Sequence, residues 1–163
     1  MLFGLSQLGV FHTAISLVAV ASGAAALWRD RRITSRNSLG RIYVVTTLVT
    51  CVSALGIFAH GGFGPPHIFA LVTLATLLLA FGAERLGMFG RKAAYVATIG
   101  YSATFFFSLI PGITETSTRL PLGNPLLASP EAPALKTAYL VLLVLFLVGA
   151  VLQAKMIRAL HNS

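Results

Sequence analysis

Acidic residues are scarce in this 163-residue chain, which has four Asp and Glu against twelve Lys and Arg and a formal net charge of +8. All charged residues together make up 10% of the sequence, whereas soluble domains contain about 25%. Apolar residues make up 56%. The shortage of charge therefore excludes an ordinary water-soluble domain and predicts a membrane protein.

Cysteine is nearly absent too, since Cys51 is the only one and lies in the apolar segment from Thr46 to Phe58. An internal disulfide is therefore excluded, and we interpret Cys51 as a small buried hydrophobic residue. No Lys or Arg precedes the first apolar stretch, although a cleavable signal peptide needs a positive start. We expect that stretch to be kept as a helix, and the whole chain, 1–163, to form a single domain.

Long apolar runs are what the sequence does contain. A membrane-spanning helix takes about 20 residues, and the five stretches that are long enough are 7–28, 41–60, 67–86, 92–110 and 136–155. The segments between them carry Gly, Pro or charge, which usually end helices. The sequence predicts an all-α integral membrane protein with a bundle of about five transmembrane helices. Pro111 and Gly112 are expected to end the fourth helix before an outer loop.

The Lys and Arg residues fall mostly on one side of this bundle. Ten of them share one side with two acids, which leaves +8 there, and two share the other with two acids, which leaves zero. Cationic loops stay in the cytoplasm, so we expect the N-terminus outside, the C-terminus inside and a bacterial inner-membrane location. The basic side should contact anionic lipids, and this accounts for the charge without a nucleic-acid partner. The basic residues are Arg29, Arg31, Arg32, Arg36, Arg41, Arg85, Arg91, Lys92, Lys155 and Arg158.

Hydroxyl side chains recur at helical spacing in two of the predicted helices, where they indicate faces turned toward other helices. They are Thr46, Thr50 and Ser53 in the second helix and Tyr95, Thr98 and Ser102 in the fourth. In the first helix, Gly23 is small enough for close backbone approach. The fifth helix is almost wholly aliphatic from Tyr139 to Leu152. We expect it at the edge, facing lipid, another membrane subunit or a second copy in a homo-oligomer.

Three histidines come from three different predicted helices at the same outer end. His12 lies about one turn inside the first helix, His60 ends the second, and His67 begins the third after the turn GGFGPP. Glu115, in the predicted outer loop, adds a carboxylate at that level. Imidazole and carboxylate ligands suit zinc, iron or copper. The sequence therefore predicts a transition-metal site formed by His12, His60, His67 and Glu115.

Two other interpretations remain open at this end. The histidines can serve only as hydrogen-bonding groups, and Arg119, four residues after Glu115, can form a local salt bridge with it. Haem b between two histidines is the other alternative. It is the less natural one, because only His12 lies clearly inside a predicted helix.

The segments FHTAISLVAVASG, NSLGRIYVVTT, IFAHGGFGPPH and IPGITETSTRLP together resemble a family of uncharacterised small bacterial multi-pass membrane proteins. The resemblance covers most of residues 11–133 and implies a small multi-helix inner-membrane protein. Relatives often carry His where this chain has Asn37, and some are expected to carry it where Ser108 stands. The family implies no activity.

Function is therefore predicted from the residues themselves. A metal site would support redox chemistry or metal-assisted hydrolysis. The alternative is a non-catalytic membrane subunit or a small transporter. Transport has little support, because no acidic residue is expected within the membrane and no inverted repeat is visible.

Overall fold

A computed structural model describes residues 6–58 and 62–162 of this protein, without the side chains of 161 and 162. The described part is all-helical, and its helices are α1 (Gln7–Asp30), α2 (Ser38–Leu55), α3 (Pro65–Leu86), α4 (Ala93–Arg119) and α5 (Pro133–Asn162), with a short 3₁₀ turn at Gly90–Lys92. Five helices in the described ranges are long and apolar enough to cross a membrane. The prediction of an all-α chain with five helices long and apolar enough to span a membrane is confirmed for the described residues.

Two predicted helix ends are wrong. Helix α2 ends at Leu55 rather than at residue 60. Helix α4 does not stop at Pro111 but continues through it to Arg119. Membrane helices tolerate an internal proline because neighbouring groups and Ser or Thr side chains satisfy the freed backbone. Pro111 lacks the N–H that would bond the Phe107 carbonyl, yet α4 continues, and one turn later Thr114 donates its hydroxyl to the Ile110 carbonyl at 2.7 Å. The predicted outer loop therefore begins as helix, and Glu115 is a helical residue.

Helices α1 to α4 form a ring, in which α1 packs against α2, α2 against α3, α3 against α4 and α4 against α1. Helix α5 packs against α4 alone among the described helices. Its exposed side chains between residues 140 and 152 are aliphatic and suit contact with lipid; they are Leu140, Val141, Leu143, Val144, Leu145, Leu147, Val148, Val151 and Leu152. The expectation that this helix lies at the edge is confirmed.

Small residues let the helices of the ring approach closely. A Cβ atom added at Gly23 of α1 would lie 2.7 Å from Phe105 Cδ2 and 2.8 Å from Tyr43 Cδ2. At the α3–α4 contact, a Cβ atom at Gly100 would lie 2.9 Å from the Ala80 Cβ atom. Such contacts are typical of membrane bundles, where close packing replaces the hydrophobic drive. At Gly23 the close contact is with the Phe105 and Tyr43 rings, whereas the sequence predicts close approach of another helix backbone.

Cross-helix contacts show that successive helices run in opposite directions. The start of α1 meets the end of α2, and the end of α4 meets the start of α5. We call the end that holds His12, His67 and Glu115 the histidine end. We call the opposite end, with the α1–α2 loop, the 3₁₀ turn and the last turns of α5, the arginine end.

The buried core lies toward the arginine end. It is built from two tyrosines and four aliphatic side chains, each at most 2% exposed: Ala26, Ile33, Tyr43, Leu77, Ala80 and Tyr101. The Tyr43 hydroxyl is satisfied within the bundle by Thr104 Oγ1 at 2.7 Å. Tyr43 therefore joins α2 to α4 through both packing and a hydrogen bond.

Candidate functional site

The four predicted metal ligands differ in what surrounds them. His60 lies outside the described residues. In the part of the chain that the structure describes, no group of three or more His, Cys, Asp or Glu side chains comes close enough to hold a metal ion. The described candidates, His12, His67 and Glu115, each have a contact of their own.

His12 is fixed by helix α2. Its Nδ1 atom lies 3.0 Å from Ser53 Oγ, and Ser53 Oγ donates to the Thr50 carbonyl at 3.0 Å. If Ser53 uses its single hydroxyl proton on that carbonyl, His12 Nδ1 is the donor in this contact. The neutral imidazole then keeps its lone pair on Nε2. This is the arrangement in which a histidine accepts a proton or binds a metal ion while its other nitrogen is hydrogen-bonded.

His67 has the opposite polarity. The backbone N–H of Gly64 donates to His67 Nδ1 at 3.2 Å at the start of α3. The lone pair of Nδ1 is therefore used, and a neutral ring carries its proton on Nε2. That Nε2 atom is buried and has no hydrogen-bond partner in the described structure. In this tautomer Nε2 carries the proton and has no lone pair with which to bind a metal ion. His67 therefore does not fit metal coordination through Nε2.

Two phenylalanines enclose the His67 ring. Its centroid lies 4.9 Å from that of Phe58 and 5.0 Å from that of Phe63, and only 4% of His67 is exposed. Stacking of this kind holds the ring in one plane. The turn between α2 and α3 thus fixes His67 as part of an aromatic cluster.

Glu115 pairs with Arg119 one helical turn later on α4. Both side chains are about half exposed, and this is the local salt bridge that the sequence left open as an alternative. Glu115 is nevertheless close enough for its charge to act on His12. The neighbouring Thr114 hydroxyl contacts the Tyr139 hydroxyl of α5 at 2.5 Å. Each described candidate thus has its own partner, Ser53 for His12, Gly64 for His67 and Arg119 for Glu115, and the three do not come together as a ligand set.

A larger polar cluster lies at the arginine end, around Glu84 in the last turn of α3. Its carboxylate accepts hydrogen bonds from the Thr34 hydroxyl, from the Ser35 backbone N–H at 2.9 Å and from the Tyr101 hydroxyl at 3.0 Å. The backbone carbonyl of Glu84 also accepts from Arg36 Nη2 at 2.9 Å. One acidic residue therefore ties the α1–α2 loop to helices α3 and α4.

Further hydrogen bonds hold the same loop in place. Arg85 donates to Ser35 Oγ at 2.8 Å and to the Ser35 carbonyl at 2.9 Å. From α5, Gln153 donates to the Arg31 carbonyl at 3.0 Å and accepts from Ser102 Oγ at 3.0 Å. The residues 31–37 are thus bonded directly to two helices, α3 and α5, beyond the two that they connect. The resulting structure is an ordered cap, which we call the loop cap (residues 31–37).

Sequence reasoning missed this cluster. It counted Glu84 only as a charge in a basic strip and expected no acidic residue within the membrane. The available signal was that Glu84 is the only acid in the segment 67–86, since an ionisable residue next to hydrocarbon usually has a polar partner. Asn37, where relatives were expected to carry histidine, begins α2 by accepting from the Gly40 N–H at 2.9 Å.

Comparisons of this chain with family models, with curated proteins and with solved structures find no match.

Proposed function

We propose that the chain is a multi-pass protein of the bacterial inner membrane with its arginine end in the cytoplasm. Ten of the twelve Lys and Arg residues belong to the arginine end, and cationic segments are retained on the cytoplasmic side. Trp28, the single tryptophan, is 85% exposed near the end of α1. An exposed indole at a helix end suits the membrane interface. The resemblance to small bacterial membrane proteins supports the location.

Reporter cysteines will test this orientation. In a Cys51→Ala background, Lys92→Cys places a thiol at the arginine end, and Lys136→Cys places one at the histidine end; both positions are exposed. In intact cells, a membrane-impermeant maleimide is expected to label Lys136→Cys and to label Lys92→Cys only after lysis. The reverse pattern would place the histidine end in the cytoplasm.

For its role in the membrane, the proposal is a non-catalytic subunit whose histidines serve helix packing. The observation that supports this most directly is that His12, Glu115 and Glu84 each have a partner within the chain. His12 is bonded to Ser53 and Glu115 to Arg119. Glu84 is bonded to the loop cap. Side chains that are hydrogen-bonded or ion-paired to each other leave few groups free to act on a substrate.

A packing role for His12 predicts a defined energetic coupling. His12→Ala and Ser53→Ala are each expected to lower the free energy of unfolding in detergent by about 1 kcal/mol, the usual size of such a bond in a membrane bundle. The double variant should lose much less than the sum, because both changes remove the same contact. His161→Ala, near the end of the chain, is the matched control and should leave stability unchanged. Additive losses would rule out the His12–Ser53 contact as a stabilising bond.

A second candidate function, a transition-metal site at the histidine end, is favoured by the polarity of His12. With Nδ1 donating to Ser53, Nε2 is free to bind zinc, iron or copper, and Glu115 would supply a carboxylate. His60 would complete the set, and His67 would take no part. Such a site would supply a Lewis acid or a redox ion at the outer face.

Elemental analysis and a visible spectrum of the purified protein will decide between the two functions. The packing role predicts no stoichiometric metal and no haem band in the wild type. One metal ion per chain that is lost in His12→Ala and in His60→Ala, but retained in His67→Ala and His161→Ala, would instead establish the metal site. A haem band would overturn both.

A further inference from the structure

Most cations of the arginine end have no acidic partner. Among the described residues, the salt bridges are Arg29–Asp30 at this end and Arg119–Glu115 at the other. Nine exposed cations at the arginine end form no salt bridge among the described residues. Arg36 and Arg85 are hydrogen-bonded to the Glu84 carbonyl and to Ser35, and the other seven are Arg31, Arg32, Arg41, Arg91, Lys92, Lys155 and Arg158. The structure therefore presents a strongly positive surface there.

The two acids of this end do not neutralise that surface. Asp30 accepts from Arg29 at 2.8 Å and from Asn37 Nδ2 at 2.8 Å. The Glu84 carboxylate is occupied by the loop cap and by Tyr101. Both carboxylates thus have their hydrogen bonds filled by groups other than the seven cations.

The positive residues belong to three chain segments that meet at one depth. Arg31, Arg32 and Arg41 belong to the loop cap and the first turn of α2, Arg91 and Lys92 to the 3₁₀ turn, and Lys155 and Arg158 to the last turns of α5. These segments lie where apolar spans end, which is the level of lipid headgroups. Cations at that level would face the phosphate groups of the lipids.

The loop cap also gives this surface a fixed shape. The Arg31 carbonyl is bonded to Gln153, and Ser35 is bonded to Glu84 and Arg85. The backbone that carries Arg31 and Arg32 is therefore ordered before any ligand arrives. Less ordering is needed on binding, which favours affinity.

We propose that the arginine end is a binding surface for anionic phospholipids, with Arg31, Arg32, Arg91 and Lys92 as the principal phosphate contacts. The positive charge of this surface favours anionic headgroups over zwitterionic ones, because a zwitterionic lipid carries no net negative charge. Each Lys or Arg near an anionic bilayer contributes about 1 kcal/mol of binding free energy, which changes the association constant about fivefold. The proposal holds for either orientation of the chain in the membrane.

Trp28 supplies an intrinsic probe, because it is the only tryptophan and is exposed at this end. The full chain is reconstituted into phosphatidylcholine bilayers that contain phosphatidylglycerol, with bromine on one lipid or the other. Brominated phosphatidylglycerol is expected to quench Trp28 more strongly than brominated phosphatidylcholine at equal mole fraction. The relative association constant should be at least about fivefold in favour of the anionic lipid.

Matched double variants test the residues. Arg31→Gln with Arg32→Gln, and separately Arg91→Gln with Lys92→Gln, should each lower the preference by at least about fivefold or abolish it. Arg119→Gln with Lys136→Gln removes two cations at the histidine end and should leave the preference for the anionic lipid unchanged. Circular dichroism confirms that each variant is folded. High NaCl should weaken the preference, since exposed charges are screened.

Equal quenching by the two lipids in the wild type would overturn the proposal. So would a preference that both arginine-end variants retain. If sodium phosphate abolished the preference while NaCl of equal ionic strength did not, the surface would belong to a soluble phosphate ligand, and the lipid assignment would be wrong.

Discussion

Replacement of Gly40 by alanine is expected to cost about 3 kcal/mol of unfolding free energy or to prevent folding altogether. A Cβ atom at this position would lie 1.8 Å from the Thr34 carbonyl oxygen and 2.6 Å from its carbon. These are backbone atoms, so no side-chain rotation can relieve the clash. Overpacked sites lose about 1–3 kcal/mol and occasionally more. Here the loop cap would have to leave α2, which also breaks the hydrogen bonds around Glu84.

The chain offers two matched glycines for comparison. A Cβ atom at Gly112 of α4 or at Gly149 of α5 would meet no atom within 4 Å. Alanine at either position should be neutral or stabilise by up to about 1 kcal/mol, because alanine favours helix. Thermal unfolding in detergent, followed by circular dichroism, measures all three variants. Equal stability of Gly40→Ala and Gly112→Ala would show that the loop cap is not packed on α2 as described.

Much of the fold follows from the sequence, because the bilayer dictates the length of each apolar run. The five helices were predicted at nearly the right places for that reason. Helix ends were predicted less well, because they depend on which groups hydrogen-bond to the unpaired backbone N–H and carbonyl groups there. A proline inside a helix usually kinks or ends it in water, but α4 continues through Pro111 to Arg119.

The candidate site was harder to predict. Topology alone places His12 and His67 at one end of the bundle, and the structure agrees. Whether each ring nitrogen donates or accepts depends on its immediate neighbours, Ser53 for His12 and Gly64 for His67. No pattern in the sequence pairs residues that lie 41 positions apart, as His12 and Ser53 do.

The loop cap shows the same limit at the arginine end. Ser35 of the loop cap and its partner Glu84 are separated by 49 residues. Periodicity predicts which face of a helix is apolar, yet it does not predict which loop an acid at the helix end will bind. The charge count places Glu84 on the basic side but does not predict which residues it binds.

Removal of the Glu84 carboxylate should therefore have the second large effect. In Glu84→Leu, the Ser35 N–H, the Thr34 hydroxyl and the Tyr101 hydroxyl all lose their acceptor. Hydrogen bonds to a charged group contribute about 1.5–3 kcal/mol each, and Glu84 is only partly buried. We expect a loss of about 3 kcal/mol in the unfolding free energy measured in detergent. Glu84→Gln keeps one acceptor oxygen and should lose about half as much.

Glu115→Leu is the matched control, because Glu115 is exposed and its pairing with Arg119 is a surface salt bridge. Such pairs contribute about 0–1 kcal/mol. Tyr101→Phe combined with Glu84→Leu tests the network directly. Once the carboxylate is gone, the Tyr101 hydroxyl has lost the Glu84 acceptor, so its removal should cost little or even restore stability. Full additivity of the two losses would mean that Glu84 stabilises the protein through contacts other than its bond to Tyr101.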